Sequence, residues 1–135
     1  MESMKDIRGV KVCKATIVNE DDRRKLVELM NGQFAGKNIK ILEVKEDSYL
    51  GGTSGHFHHY SECMYIMKGK CWDYVMENIK TGEKETYELN EGDIVFRTEG
   101  ILHGGWFSKG SIVIDIAEDT YISGKFNDIP REEIK

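Results

Sequence analysis

The histidines of this chain occupy only two places, and one of them has the spacing of a metal-binding strand. His56, His58 and His59 lie in one short stretch, and His103 stands alone further along. On a β-strand alternate side chains share a face, so His56 and His58 point the same way. Three residues separate His58 from Glu62, which leaves room for a turn that brings this carboxylate back beside the pair. A barrel would place the strand of His103 next to this group.

Three neutral imidazoles and one carboxylate form a donor set for a divalent transition metal. Mn²⁺, Fe²⁺, Co²⁺, Ni²⁺ and Zn²⁺ accept such mixed ligands, whereas a cage of oxygens favours Ca²⁺ or Mg²⁺. No cysteine falls in the pattern, which argues against a structural zinc cluster. The alternative is a structural role for each histidine, or an exposed pair spaced by chance. We predict one metal ion, with open positions for a substrate, bound by His56, His58, Glu62 and His103.

The residues next to the predicted ligands are candidates for proton transfer. Strict alternation turns His59 away from the other two histidines, to the surface or behind the ligands, unless the strand bulges. Tyr60 follows directly, and Glu62 could serve if it leaves the metal. We therefore name His59 and Tyr60 as the candidate catalytic residues.

Many short strands are needed to bring these residues together, and the sequence has them. Segments 39–44, 63–67, 85–89 and 111–117 are rich in β-branched and aliphatic residues, and the last alternates most clearly. Segment 21–31 fits either a short amphipathic helix or a strand, and its β surroundings favour the strand. The pattern predicts an all-β domain, either a closed barrel or a sandwich.

Several aromatic side chains are expected around the site or in the core. Trp72, Tyr74 and Met76 alternate and are predicted to share one face of a strand. Trp106 is offset from His103 by an odd number of positions and is predicted to face outwards. Phe57 is predicted to pack behind the metal.

Composition and charge exclude several classes of function. A length of 135 residues fits one domain, and 24 acidic against 19 basic side chains, without a basic stripe, argue against a nucleic-acid partner. No apolar run approaches the ~20 residues of a membrane-spanning helix. The polar start lacks the apolar core of a secretory signal, so we expect a cytoplasmic protein without a membrane partner. Cys13, Cys63 and Cys71 are expected to be reduced and mostly buried.

The histidine cluster and the His103 segment together resemble the two motifs of the cupin superfamily. The spacing of the first motif is matched without a gap at its two histidines, its glutamate and its last glycine, which here are His56, His58, Glu62 and Gly69. Its leading glycine falls on Leu50, just before Gly51 and Gly52. The second motif is matched at Gly92, Gly100 and His103, with Thr98 in place of its proline and Phe107 in place of its asparagine.

The resemblance implies a small single-domain metal-binding cupin with an RmlC-like jelly roll, which is an all-β barrel also called a double-stranded β-helix. It implies one metal at the wide end of the barrel and frequent dimerisation, so we expect a homodimer. We divide the chain into N-terminal strands or an arm over 1–37, packed on the barrel or on a partner subunit, a barrel over 38–127 and a tail over 128–135.

The cupin resemblance leaves the reaction open among several classes. Segment 21–24 with the histidine cluster resembles the small cupins of sugar-nucleotide pathways, whose isomerases and epimerases transfer a proton next to a ketone. The best-known epimerases of that set use a His-Asp pair and a tyrosine without metal, whereas this chain carries a full ligand set. We favour a metal-dependent isomerase, epimerase or decarboxylase acting on a small oxygenated substrate such as a sugar or keto acid. The alternatives are an iron-dependent dioxygenase and a non-catalytic module that binds a small ligand.

Overall fold

Every regular element of the protein is a β-strand in the residues that the structure, a computed structural model, describes, namely 6–51, 55–120 and 129–130. The predicted all-β class is therefore confirmed. Over these same ranges there is no helix long and apolar enough to cross a membrane. In chain order the strands are β1 Val10–Lys14, β2 Thr16–Glu20, β3 Lys25–Glu28, β4 Asn38–Glu43, β5 Ser48–Leu50, β6 His56–Phe57, β7 Glu62–Lys68, β8 Lys70–Asn78, β9 Lys84–Asn90, β10 Asp93–Arg97, β11 Ile101–Phe107, β12 Ile112–Ala117 and β13 Ile129–Pro130.

Two antiparallel sheets face each other and enclose the core. One has the order β1-β10-β7-β12-β4, and the other has the order β13-β6-β11-β8-β9, with β5 also paired to β11. Neighbouring strands are mostly distant in the chain, as in a jelly-roll barrel. The largest fully buried side chains of the core between the sheets include Tyr87, Ile66, Met76 and Leu89.

Strand β12 shows how the sequence pattern sets the two faces of a sheet. Val113 and Asp115 point between the sheets, where both line a cavity. Ile114 and Ile116 point to the opposite side and pack in a second apolar cluster on the outer face. The alternation predicted for this segment therefore separates the inside of the barrel from its outer surface.

Strand β8 departs from simple alternation at Asp73. The pairing register shifts here, and Asp73 has a φ of 51°. A β-bulge of this kind re-aims the neighbouring side chain. Trp72 lies outside the core and stacks on Trp106, with ring centroids 6.0 Å apart, whereas Tyr74 and Met76 are buried between the sheets. The prediction of one shared face is wrong for Trp72, and the outward orientation of Trp106 is confirmed.

The segment before residue 38 contributes a barrel strand and a separate hairpin. β1 pairs with β10 at the edge of the first sheet, and β2 and β3 pair with each other in a two-stranded sheet. Of the two interpretations of segment 21–31, the strand is correct, since β3 begins at Lys25. After β3, Leu29, Met30 and Phe34 pack on the outer apolar cluster.

Part of the predicted C-terminal tail is a strand of the second sheet. Ile129 and Pro130 form β13, which pairs with β6, and Ile129 is buried with Phe57 and Leu102. Phe57 therefore packs on the side opposite to the histidines, as predicted. Residues 121–127 of the predicted barrel, and 128 and 131–135 of the predicted tail, lie outside the described residues.

Candidate functional site

Two neighbouring strands bring three histidines together. His56 of β6 is paired directly with His103 of β11, and His58 comes two residues after His56. The ring centroids of His56 and His103 are 4.6 Å apart, those of His56 and His58 are 4.8 Å apart, and those of His58 and His103 are 5.0 Å apart. One ring nitrogen from each lies within 4.8 Å of the other two. The structure thus brings together three of the four predicted ligands.

His103 is neutral and has a defined tautomer. Its Nδ1 lies 2.9 Å from the carbonyl oxygen of Ile101, which can only accept a hydrogen bond. Nδ1 therefore carries the proton, and the lone pair is on Nε2. Burial lowers the pKa of His103 well below its ordinary value, and the charge of Arg97 lowers it further. This is the form of imidazole that binds a metal or accepts a proton.

Glu62, the fourth predicted ligand, is buried beside the histidines and also paired with an arginine. Its Oε1 lies 3.1 Å from Nε2 of His58 and 3.0 Å from Nη2 of Arg97. Burial acts to raise the pKa of Glu62, but the charge of Arg97, a hydrogen bond from Asp115 and the nearby histidines outweigh it. The pKa of Glu62 therefore lies well below its ordinary value, and the group is a carboxylate.

Asp115 of β12 carries the proton that Glu62 lacks. Burial raises the pKa of Asp115 well above its ordinary value, and the negative charge of Glu62 raises it further. Arg97 Nη2 is 3.0 Å from Glu62 but 3.8 Å from Asp115, so the positive charge favours ionisation of Glu62. The Asp115 carboxyl therefore donates its hydrogen bond to the Glu62 carboxylate.

Arg97 also connects this pair of carboxyls to Tyr74. Its Nη1 donates a hydrogen bond of 2.6 Å to the phenolic oxygen of Tyr74, and both residues are almost fully buried. Burial raises the pKa of Tyr74, so it remains a neutral phenol. Nε of Arg97 has no hydrogen-bond partner among the described residues. Such a buried charged network is costly in desolvation and is typical of functional sites.

The histidines and this network open into one cavity between the two sheets, with a volume of about 260 Å³. A concave site with apolar walls and a few convergent polar groups suits a small molecule. The polar lining residues are Lys40, His56, His58, Tyr60, Glu62, Tyr74, Arg97, His103 and Asp115. The remaining lining residues are Leu42, Leu50, Gly51, Met64, Phe107 and Val113.

Comparison with known proteins gives matches among solved structures. No protein-family model matches the chain, and no curated protein matches it. The TDP-quinovose 3,4-ketoisomerase WlaRB from Campylobacter jejuni matches with a TM-score of 0.79 and 20% identity, over 95% of this chain and 98% of that chain. A 3,4-ketoisomerase from Helicobacter canadensis matches with a TM-score of 0.70 and 22% identity, over 84% and 86%. The rmlC epimerase of Mycobacterium tuberculosis matches with a TM-score of 0.73 and 16% identity, over 88% of this chain and 68% of that chain.

This chain has the RmlC-like cupin fold. The jelly-roll barrel that the two sequence motifs predicted is therefore confirmed. In this cupin barrel both motifs lie at the cavity, because β6 and β11 are neighbours in one sheet.

The two candidate catalytic residues of the cupin barrel have different surroundings. The ring of Tyr60 lines the cavity and stacks on His58, with 4.8 Å between ring centroids and 9° between planes. His59 is exposed, and its ring meets the edge of Phe57 at 5.7 Å. His59 faces away from the other histidines, as strict alternation predicted. Tyr60 is therefore at the cavity and His59 is not among its lining residues, and the catalytic role of either residue stays a prediction.

The histidine cluster of this barrel fits a divalent transition metal. Its three imidazole nitrogens are close together, and His103 is held neutral with its lone pair on Nε2. Glu62 is not a member of this three-residue cluster, and its carboxylate pairs with Arg97. Its 3.1 Å contact with His58 nevertheless matches the roughly 3 Å between neighbouring ligand atoms on an octahedral ion with bonds of about 2.1 Å. Glu62 as a metal ligand therefore stays a prediction.

The charged network is the part of the site that sequence reasoning missed. Arg97 is the last residue of β10, and Asp115 lies in β12, each at a position that faces the cavity. A signal was present in β12, since Asp115 falls on the face opposite to the isoleucines, next to Val113. A charged residue on a core-facing position is rarely buried without a partner. This signal could have identified Asp115 as a candidate.

Proposed function

We propose that this chain is a metal-dependent isomerase or epimerase that transfers a proton next to the carbonyl group of a small keto sugar. The observation that supports this most is the cluster of three histidine nitrogens within 4.8 Å of one another at a small cavity. The fold neighbours add support, since they include a TDP-fucose 3,4-ketoisomerase and a 3'-monoepimerase in complex with dTDP-quinovose.

His56, His58 and His103 would hold the metal. When bound, a divalent metal polarises a substrate carbonyl as a Lewis acid. The Ile101 carbonyl fixes the tautomer of His103, so this donor is oriented before any ligand arrives. Three imidazoles can bind Mn²⁺, Fe²⁺, Co²⁺, Ni²⁺ or Zn²⁺, so the identity of the metal is to be determined by elemental analysis of the protein.

Glu62 and Tyr60 are the groups that we propose to move the proton. Glu62 is an ionised carboxylate on the cavity wall and would accept the proton from the carbon next to the carbonyl. Its lowered pKa makes it a weak base, so this transfer would need that carbon to be made more acidic by polarisation of the carbonyl. The phenol of Tyr60 can donate a proton to the carbonyl oxygen, which gives an enediol. Return of the proton to the former carbonyl carbon, with loss of the proton from the neighbouring hydroxyl oxygen, would move the carbonyl along the sugar. Delivery of the proton to the opposite face of the carbon that lost it would instead invert that carbon.

The size of the cavity favours one sugar ring over a whole nucleotide sugar. Its volume of about 260 Å³ is below the roughly 300–1,000 Å³ of pockets that hold drug-sized ligands. Lys40 of β4 also lines the cavity and is exposed to solvent. An ammonium group suits a phosphate, so the nucleotide part of such a substrate would lie outside, on the side of Lys40.

The contact between His58 and Glu62 favours a second candidate, in which the same proton transfer occurs without metal. Nε2–H of His58 would then donate to the ionised Glu62 carboxylate over 3.1 Å, as in a His-carboxylate pair. The other ring nitrogen of His58 would act as the base, because the carboxylate stabilises the imidazolium that forms.

Proton exchange measured by NMR in D₂O tests the proposal. TDP-linked 4-keto sugars are incubated with the purified protein, and deuterium uptake at the carbons next to the carbonyl is followed. We expect exchange with the metal-loaded protein, its loss after treatment with EDTA, and its return with one of the five metals. Exchange that continues undiminished in EDTA would favour the metal-free candidate, and no exchange under any condition would contradict both.

Two single substitutions identify the metal ligands independently of activity. His58→Ala is expected to lower the metal content per chain, measured by elemental analysis, by at least about tenfold, because one of three imidazole donors is lost. The matched control is His59→Ala, which removes an exposed imidazole one position away and should leave the metal content unchanged. Full metal content in His58→Ala would show that the assigned ligands are wrong.

A further inference from the structure

The carboxylate of Glu62 lies between two competing partners, the guanidinium of Arg97 and the histidine cluster. Its Oε1 is 3.0 Å from Nη2 of Arg97 and 3.1 Å from Nε2 of His58. This oxygen is therefore close enough to join an ion held by His58, yet it already accepts a charge-assisted hydrogen bond from the guanidinium. The stronger of the two partners determines whether the metal site that we propose has four protein ligands or three.

Arg97 is held beside Glu62 by the sheet and by a second hydrogen bond. In the antiparallel pairing of β10 with β7, Arg97 is the direct cross-strand partner of Glu62. Nη1 of Arg97 donates to the phenolic oxygen of Tyr74 over 2.6 Å, so both terminal nitrogens of the guanidinium are engaged. The side chains of Arg97 and Glu62 are only 4% and 6% exposed. Because the pair is buried, solvent cannot take the place of either partner.

Binding of Glu62 to a metal would disturb this pair in either of two ways. If the carboxylate left Arg97, a buried guanidinium would lose its counter-ion, which is a costly state inside a protein. If Arg97 stayed, the ion and the guanidinium would share Oε1, and two positive charges would repel each other where little water screens them. The imidazoles of the cluster are uncharged when they act as ligands, so they cause no such conflict.

We infer that Arg97 is a positioning residue that keeps Glu62 out of the ligand set of the metal and on the wall of the cavity. The ion would then be bound by His56, His58 and His103 alone, and these neutral ligands leave its double charge undiminished for polarising a carbonyl. Arg97 has this role only if the metal site of the proposed function exists. It then separates the residues that bind the ion from the residue that accepts the proton.

Titration of the metal-free protein with Co²⁺ tests this role, because bound Co²⁺ reports both affinity and coordination. Competition with a chelating dye gives the affinity, and the visible absorption, which is stronger for four ligands than for six, follows the number of ligands. Arg97→Met releases Glu62. We therefore expect this variant to bind Co²⁺ at least about tenfold more tightly and with a changed spectrum, since the carboxylate joins the ligands.

The double variant Arg97→Met with Glu62→Gln is the decisive measurement, because it removes both charges of the pair and leaves the net charge of the site unchanged. We expect it to bind Co²⁺ within about threefold of the wild type and with the wild-type spectrum, since neither side chain contacts the ion. The matched control is Lys14→Met with Asp93→Asn. It removes an ion pair of 2.8 Å at the surface and should change neither the affinity nor the spectrum.

The other outcomes separate this role from the metal site itself. Loss of Co²⁺ affinity by more than about tenfold in the double variant would show that Glu62 is a ligand, and would overturn the role of Arg97 while the metal site stands. A folded Arg97→Met variant with the wild-type spectrum would also overturn it. A wild type that binds no Co²⁺ would overturn the metal-dependent proposal and the role of Arg97 together. Circular dichroism establishes that each variant is folded, and the double variant decides the question if the single variant is not.

Discussion

Each histidine of the cluster depends on a different neighbour for its chemistry. The Ile101 carbonyl fixes the tautomer of His103. The Glu62 carboxylate contacts Nε2 of His58, and His56 is positioned by direct cross-strand pairing with His103. The Ile101 carbonyl belongs to the backbone and His103 to the cluster itself, so Glu62 is the neighbour whose substitution tests a contact from outside the three histidines.

Without metal, the protein should lose stability as the pH falls below about 6.5, and His103 should be a cause. The pKa of His103 is lower in the folded protein than its ordinary value of 6.5, so unfolding takes up a proton. The stability that this residue contributes above its unfolded pKa is lost as the pH falls toward the folded pKa. One such proton gives a slope of up to about 1.4 kcal/mol per pH unit. Urea unfolding in EDTA between about pH 8 and pH 5 measures the slope.

His103→Gln is expected to flatten this pH dependence, and His59→Ala should preserve it. Asp115 has an effect of opposite sign. Its pKa is raised in the folded protein, so the stability that Asp115 contributes is lost as the pH rises above the pKa of this group in the unfolded chain. For this reason the slope of the unfolding free energy against pH in the variant is compared with the slope in the wild type. An equal slope in His103→Gln would contradict the assignment.

Removal of Arg97 should destabilise the fold more than removal of the ion pair as a whole. Arg97→Met leaves the Glu62 carboxylate buried without its cation, and breaking one side of a buried pair costs about 3–5 kcal/mol. Adding Glu62→Gln removes the uncompensated charge, so the double variant should recover part of the loss. Urea unfolding at neutral pH gives both values, and a single variant as stable as the wild type would show that the pair does not hold Glu62.

At the scale of elements, the sequence predicts the two faces of a strand well where apolar and polar side chains alternate along that strand. Ile114 and Ile116 of β12 are outside and Val113 is inside, as alternation predicted. The bulge at Asp73 was not predictable in this way, because the pairing of β8 with two neighbouring strands determines it. The pairing of Trp72 with Trp106 followed from the same shift and was missed for the same reason.

The turn between β7 and β8 should tolerate no side chain. Gly69 has a φ of +89°, and a Cβ there would overlap Ser111. Gly110 has a φ of +85° with nothing within 4 Å of its Cβ position, so it is a matched control that carries the backbone cost alone. We expect Gly69→Ala to lower the free energy of unfolding by about 1–3 kcal/mol more than Gly110→Ala does, because of the overlap. Equal losses in chemical denaturation would show that Ser111 moves aside freely.

At the scale of the whole molecule, the motifs predicted the cupin barrel and the meeting of His56 and His58 with His103. The shared face of His56 and His58 followed from strand alternation, which is local, whereas the cupin barrel and the approach of His103 were what the resemblance to the two motifs implied. The arginine that pairs with Glu62 could not be found by spacing, since it depends on the pairing of β10 with β7 in the first sheet.

Strand β6, which with β13 is one of two two-residue strands among the described residues, has a consequence for the order in which the site forms during synthesis. β6 contains only His56 and Phe57, and its neighbours on both sides, β11 and β13, lie much later in the chain. During synthesis His56 and His58 are made before β11 and β13, the two strands that flank β6. The metal that we propose could therefore be bound only after β11 has been made and has paired with β6, because His103 completes the set of three imidazoles.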